Sequence, residues 1–163
     1  MSTPSRRLLN LAGFLACAGM MGFALYAQYV LLLDPCPLCV FQRFATILLG
    51  IVFLAAALHD PQAVGARVYG ALAGLVAACG VAIAGWHVYL QNLPSDEVPS
   101  CGPGFEYIMS NFALFDALGM IFQGSGECAE VLWRLFGLSM PTWVAIGLGG
   151  LGIAGVWNNF RRS

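Results

Sequence analysis

Four stretches of this sequence, residues 8–33, 41–58, 68–90 and 141–160, are apolar almost without interruption. A helix rises about 1.5 Å per residue, so about 20 such residues cross the roughly 30 Å hydrocarbon core of a bilayer. Each stretch is long enough to do so, and little else explains four of them in one short chain. The composition agrees: 60% of the 163 residues are apolar, 9% are charged and none is lysine, against roughly 25% charge in soluble domains. The reading is an all-α membrane protein, a single integral membrane domain over 1–163 built as a four-transmembrane-helix bundle. Connections fall at about 34–40 and 91–140 on one side and between the second and third spans on the other.

Arg6 and Arg7 before the first stretch, and Ala-Leu-Tyr-Ala at 24–27, imitate a secretory signal. The apolar run is far longer than the roughly 7 to 15 residues of a signal core, so it is expected to remain as a span. Cys17 lies too deep in it to mark a lipoprotein.

The arginines orient the path. Arg6 and Arg7 precede the first span, Arg67 is expected to end a short connection from His59, and Arg161 and Arg162 follow the last span. All five share one side, and positive charge marks the cytoplasmic side, which puts both termini there. Asp34, Asp96, Glu97, Glu106, Asp116, Glu127 and Glu130 gather on the other. That side also receives Cys36, Cys39, Cys101 and Cys128, while Cys17 and Cys79 fall inside spans as small apolar packing residues. Outside the cytoplasm disulfides form and persist, so redox or structural bridges are favoured there.

The long outer segment opens with Asn92 to Ser100, whose prolines and polar residues predict a mobile, extended loop that leaves Cys101 accessible. Phe105, Ile108, Met109, Phe112, Phe115, Leu118, Gly119 and Phe122 follow at helical spacing, which predicts a short amphipathic helix lying in the membrane interface. Glu127 to Phe136 is expected to form a second short helix. Gly70 and Gly74 in the third span, with Ala145, Gly149, Gly150 and Ala154 in the fourth, predict close helix approach in lipid. No basic patch suits nucleic acid.

The pair Cys36-Pro-Leu-Cys39 admits three readings. A closed zinc site of Cys36, Cys39, Cys101 and Cys128 is chemically possible, but the second pair lacks the usual close spacing. Haem attachment is excluded because Val40 stands where histidine is required. A purely structural bridge between Cys36 and Cys39 closes too small a loop to add much stability, whereas one between Cys101 and Cys128 would close a longer loop, worth about 3 to 4 kcal/mol in the chain-entropy model. The redox reading draws on the neighbours. Pro35 and Pro37 are expected to delay the second helix until Cys39, where the helix dipole favours an anion. Arg43, four residues on, would stabilise a Cys39 thiolate and would itself need a partner near lipid, either that thiolate or a polar headgroup of a bound cofactor. His87, near the outer end of the third span, comes to about the same depth, and Gln28 near the end of the first is a weaker candidate.

Cys36-Pro-Leu-Cys39-Val-Phe-Gln-Arg43, His87, Cys101-Gly-Pro-Gly-Phe-Glu-Tyr107, Gly126-Glu-Cys128-Ala and Met140-Pro141-Thr-Trp143 together resemble the DsbB family. The resemblance extends from the first span to the last. It implies a bacterial inner-membrane protein-disulfide:quinone oxidoreductase that reoxidises the periplasmic dithiol oxidase DsbA and passes the electrons to ubiquinone or menaquinone. Carried over by position, the quinone-linked pair is Cys36 and Cys39, the DsbA-facing pair is Cys101 and Cys128, and Arg43 and His87 lie at the quinone, with no resident metal. Glu127 and Glu130 would raise the Cys128 pKa and make it a poorer leaving group. A DsbB-like protein with a dedicated DsbA-like partner, and a non-enzymatic scaffold braced by two disulfides, are the rival readings.

Overall fold

The computed structural model describes residues 5–94, 110–113, 116, 119 and 126–161. Its elements are α1 (Arg6–Tyr29), α2 (Pro37–His59), α3 (Ala63–Leu90), the single turn α4 (Gly126–Ala129), β1 (Arg134–Leu135), β2 (Leu138–Ser139) and α5 (Met140–Phe160). The four long helices are each long and apolar enough to cross a membrane, and the chain is a multi-pass helical bundle as expected. Cys101, the expected extended loop beyond Pro94 and most of the expected interfacial helix over 105–122 lie outside the described residues, as does the side chain of Glu127.

Helix boundaries depart from expectation where caps decide them. The first helix stops at Tyr29 rather than continuing to residue 33. Leu32 takes a left-handed conformation (φ 55°), and Leu33 N–H reaches back to the Ala27 carbonyl at 3.0 Å, which turns the chain out of the helix. The second helix starts at Pro37, not at Cys39. Proline lacks the N–H that a first helical residue would leave unbonded, so it opens a helix readily, and Cys36 becomes the N-cap. The Cys36 Sγ accepts the Cys39 N–H at 3.4 Å. Arg67 belongs to α3 rather than to the connection before it, which shrinks to Asp60–Gln62.

Glu127 to Phe136 does not form the expected helix. After α4 the chain extends into a two-residue hairpin, Arg134 opposite Ser139 and Leu135 opposite Leu138. Its turn, Phe136-Gly137, has φ of 52° and 81°, the positive pair that a tight hairpin of this twist requires. Trp143 of α5 donates its indole N–H to the Leu135 carbonyl at 3.2 Å, and Trp133 packs on Phe23 of α1 with ring centroids 5.6 Å apart. Those two contacts hold the Cys128 segment across the end of the bundle.

Within lipid, helices gain from close packing and polar contacts rather than from leaving water. The α3–α5 seam uses small residues as expected on α3, where a Cβ on Gly70 would meet Asn159 and Phe160 at 3.0 Å and one on Gly74 would meet Val156 at 2.8 Å, while on α5 the tightest approach is at Gly152 rather than at Gly149 or Gly150. A Cβ on Gly152 would collide with Ala77 Cβ, whereas one on Gly150 would meet nothing. Gly13 of α1 admits the Phe53 ring of α2, whose nearest atoms would lie 2.9 Å from an added Cβ. Between these seams lies a core of Cys17, Leu49, Phe53, Ala73, Ala77 and Leu148. Cys17 thus packs inside as expected, while Cys79 is exposed on the outer surface of the bundle.

One end of the bundle is tied by polar groups. Arg6 donates to the carbonyls of Pro61 (3.3 Å) and Arg161 (3.2 Å), bringing the start of α1, the α2–α3 connection and the end of α5 together. Just inside, Asn10 Oδ1 accepts from Asn158 at 3.1 Å and Asn159 at 3.0 Å, and its amide donates to Asn159 at 3.2 Å. The cysteines lie at the opposite end.

Candidate active site

The start of α2, the end of α3 and the turn α4 meet in a small apolar cluster of Cys36, Leu38, Leu90 and Cys128. The Cys36 Sγ donates to the Cys39 Sγ at 2.9 Å and lies 3.7 Å from His87 Nε2. The Cys36 and Cys128 sulfurs and a ring nitrogen of His87 all lie within 4.8 Å of one another. Cys128 is completely buried, and Cys36 and His87 nearly so. The hydrogen bond with Cys128, then the one with Cys39, then burial raise the Cys36 thiol well above the ordinary thiol range.

His87 is held from both ring nitrogens. Gln42 Nε2 lies 2.9 Å from Nδ1, and the Cys128 carbonyl lies 3.1 Å from Nε2. An amide N–H donating to Nδ1 leaves the ring hydrogen on Nε2, which donates to that carbonyl with the Cys36 sulfur close by. Gln42 is itself buried on α2.

Arg43 does not engage Cys39 through any hydrogen bond described. Its guanidinium donates instead to Gln28 Oε1 and, at 3.2 Å, to the Ala24 carbonyl, both on α1. Among the described residues, helix α1 supplies these partners where Cys39 was expected. Ala24 and Gln28 stand one turn apart on the same face of α1, and the Arg43 side chain of α2 reaches both. Arg43 still lines the same cavity as Cys39.

That cavity spans about 850 Å³, counting the space at its open mouth. Met20, Met21, Trp133 and Val144 give it apolar walls, and Cys36, Cys39, Gln42, Arg43, His87 and Gln91 give it polar points. Gln91 Oε1 is buried and has no hydrogen-bond partner among the described residues. Of the six expected site residues, Cys36, Cys39, Arg43 and His87 share this wall, Cys128 abuts Cys36, and Cys101 is not described. Gln42 and Gln91 were not expected. The signal for Gln42 was present: Cys39, Gln42, Arg43 and Thr46 repeat at i, i+3, i+4 and i+7, a polar stripe on an otherwise apolar span.

Comparison with known proteins bears on the family of the chain. The family described as disulfide bond formation protein DsbB matches residues 6–158. Proteins named disulfide bond formation protein B from Nitrosococcus oceani and Methylococcus capsulatus are similar to it. They are 46% and 47% identical, over 96% and 99% of this chain and 93% and 100% of theirs. One from Hahella chejuensis is 48% identical over 94% of this chain and 92% of its own. No solved structure gives a significant match. With the family match spanning all four long helices and nearly full-length relatives far above 30% identity, the chain belongs to the DsbB family.

Proposed function

We propose that this protein reoxidises a DsbA-like periplasmic dithiol oxidase and passes the electrons to a membrane quinone, ubiquinone or menaquinone. Its cysteine end faces the periplasm of the bacterial inner membrane. The observation that carries this reading is the approach of Cys128 to Cys36 within 4.8 Å, which joins the outer loop to the Cys-x-x-Cys pair.

A thiolate of the partner oxidase attacks the Cys101–Cys128 disulfide at Cys101, forming a mixed disulfide and freeing Cys128 as a thiolate. The partner's second thiolate displaces Cys101, and the partner leaves oxidised. The Cys128 thiolate attacks Cys36 of the Cys36–Cys39 disulfide, and Cys39 departs as a thiolate. Cys101 then attacks Cys128, remaking that bridge and releasing Cys36, whose returning charge the Nε2–H of His87 is placed to stabilise. The electron pair and protons taken from the partner now reside on Cys36 and Cys39.

The cavity residues fit a quinone. Arg43, whose guanidinium has five N–H donors and bonds Gln28 and Ala24 with two nitrogens, is suited to a ring carbonyl. Gln91 Oε1 is suited to a quinol hydroxyl, and the apolar walls to the ring. Bound there, a quinone supplies the oxidising equivalents that restore the Cys36–Cys39 disulfide.

Purified protein supplied with ubiquinone and reduced DsbA tests the reading. Wild type regenerates oxidised DsbA, and Cys39→Ser stops turnover. Undiminished turnover by that variant would sink the proposal.

A further inference from the structure

Cys36, His87 and Cys128 are contributed by three separate segments, yet present two sulfurs and an imidazole nitrogen to one small buried volume. The geometry points to a thiophilic cation site of the zinc type, formed by Cys36, His87 and Cys128 when the thiols are reduced, which locks the protein out of disulfide exchange. Binding rests on these three ligands and not on the oxidoreductase reading. Its inhibitory consequence rests on the oxidoreductase reading above.

Distances support it first. Zinc holds sulfur at about 2.3 Å and imidazole nitrogen at about 2.0 to 2.1 Å, so tetrahedral ligands stand roughly 3.6 Å apart for sulfur and nitrogen and roughly 3.8 Å for two sulfurs. Cys36 Sγ and His87 Nε2 are 3.7 Å apart. Only a small shift separates the present cluster from a ligand set. A water fills the fourth position, as at zinc sites with three protein ligands.

Charge supports it next. A dication with two thiolates and one neutral imidazole carries no net charge, so the buried end of a membrane bundle accepts it without an unpaired ion. The two thiols release about two protons as the metal enters, and no electrons move.

The group behind His87 completes the case. In the free protein Nε2 carries the ring hydrogen and Gln42 donates to Nδ1. Ligation requires Nε2 bare and Nδ1 protonated, and the outer ring nitrogen of a metal-bound histidine almost always donates to an acceptor. Gln42 meets that need by rotating its amide to present Oε1, because a glutamine offers both a donor and an acceptor. A cation seated here stands between Cys128 and Cys36 and blocks their exchange.

The test uses the full chain in detergent, reduced, freed of reductant and kept anaerobic. Cd²⁺ is titrated for its thiolate charge-transfer absorption, and Zn²⁺ against a chromophoric chelator. Reduced wild type should take about one ion per chain with release of about two protons, and diamide-oxidised protein should show no band. Cys36→Ser and Cys128→Ser should abolish the band, Cys79→Ser should leave it unchanged, and Gln42→Leu should weaken binding about 10- to 100-fold. His87→Ala should weaken it at least as much, with Gln42→Leu carrying this arm if His87→Ala does not fold.

Equal binding by oxidised protein, by Cys36→Ser or by Cys128→Ser overturns the site. So does affinity untouched by both His87→Ala and Gln42→Leu, since the imidazole would then not be a ligand. Metal-free turnover with reduced DsbA is measured in parallel. Turnover without metal binding overturns the cation site alone, whereas metal binding without turnover overturns the proposed function and leaves the site standing.

Discussion

His87 Nδ1 lies 2.9 Å from the side-chain nitrogen of Gln42, while Nε2 of the same ring lies 3.1 Å from the carbonyl oxygen of Cys128. One buried imidazole thereby joins α2, α3 and α4. It also fixes which ring nitrogen faces Cys36, since the Gln42 donor directs the hydrogen to Nε2.

Replacing Gln42 with leucine leaves Nδ1 buried and unpaired, at a cost of about 1 to 3 kcal/mol. We expect Gln42→Leu to lower the thermal unfolding midpoint in detergent and to slow quinone-dependent reoxidation of DsbA about 5- to 100-fold. Gln42→Glu gives the ring a partner that only accepts and draws its hydrogen to Nδ1, so it should recover stability more than turnover. Equal behaviour of Gln42→Leu and wild type in both assays would remove the positioning role.

The proximity of Cys36 and Cys128 has a direct chemical readout. In the double variant Cys39→Ser/Cys101→Ser these two are the remaining cysteines at this end, within 4.8 Å. Mild diamide oxidation should join them almost completely, as read by alkylation and peptide mass spectrometry. Persistent alkylation of both thiols after oxidation would show that the outer loop does not bring Cys128 to α2.

The seam between α3 and α5 predicts opposite outcomes for two glycines close in sequence. Gly152→Leu forces a side chain into Ala77 and should destabilise by about 1 to 3 kcal/mol or more. Gly150→Ala points into open space and should be neutral or, through helix propensity, stabilising by up to about 1 kcal/mol. Thermal unfolding in one detergent compares them, and equal midpoints would contradict the seam.

Asn10 bonds both Asn158 and Asn159 through three interhelical hydrogen bonds at the end remote from the cysteines. Hydrogen bonds between membrane helices average about 0.6 kcal/mol, so Asn10→Leu should cost about 2 kcal/mol. Turnover below the unfolding temperature should be unchanged, because the cavity is at the other end. A large kinetic defect with unchanged stability would refute this purely structural role.

The spans were legible in the sequence because an unbroken apolar run has one low-energy place in a membrane, and its backbone must bond to itself as a helix. The Cys-x-x-Cys motif and the depth of His87 followed from position along those helices. Exact helix starts did not follow. Pro37 reads as a breaker until Cys36 is seen capping the helix and using the N–H of Cys39.

Sequence alone thus pointed to four helices long and apolar enough to cross a membrane, and to Cys36, Cys39 and Cys128 at one end of them. Tertiary structure decided which groups meet. Cys36 and His87 are 51 positions apart and His87 and Cys128 are 41 apart, so their contact depends on how α2, α3 and α4 rotate and dock. Arg43 shows the same dependence: its spacing from Cys39 suggested a thiolate partner, but the packing of α1 against α2 presents Gln28 and Ala24 instead. Periodicity fixes the face on which a side chain leaves its own helix. Only packing fixes what stands opposite that face, because it is set by the rotation and depth of neighbouring helices that local sequence does not encode.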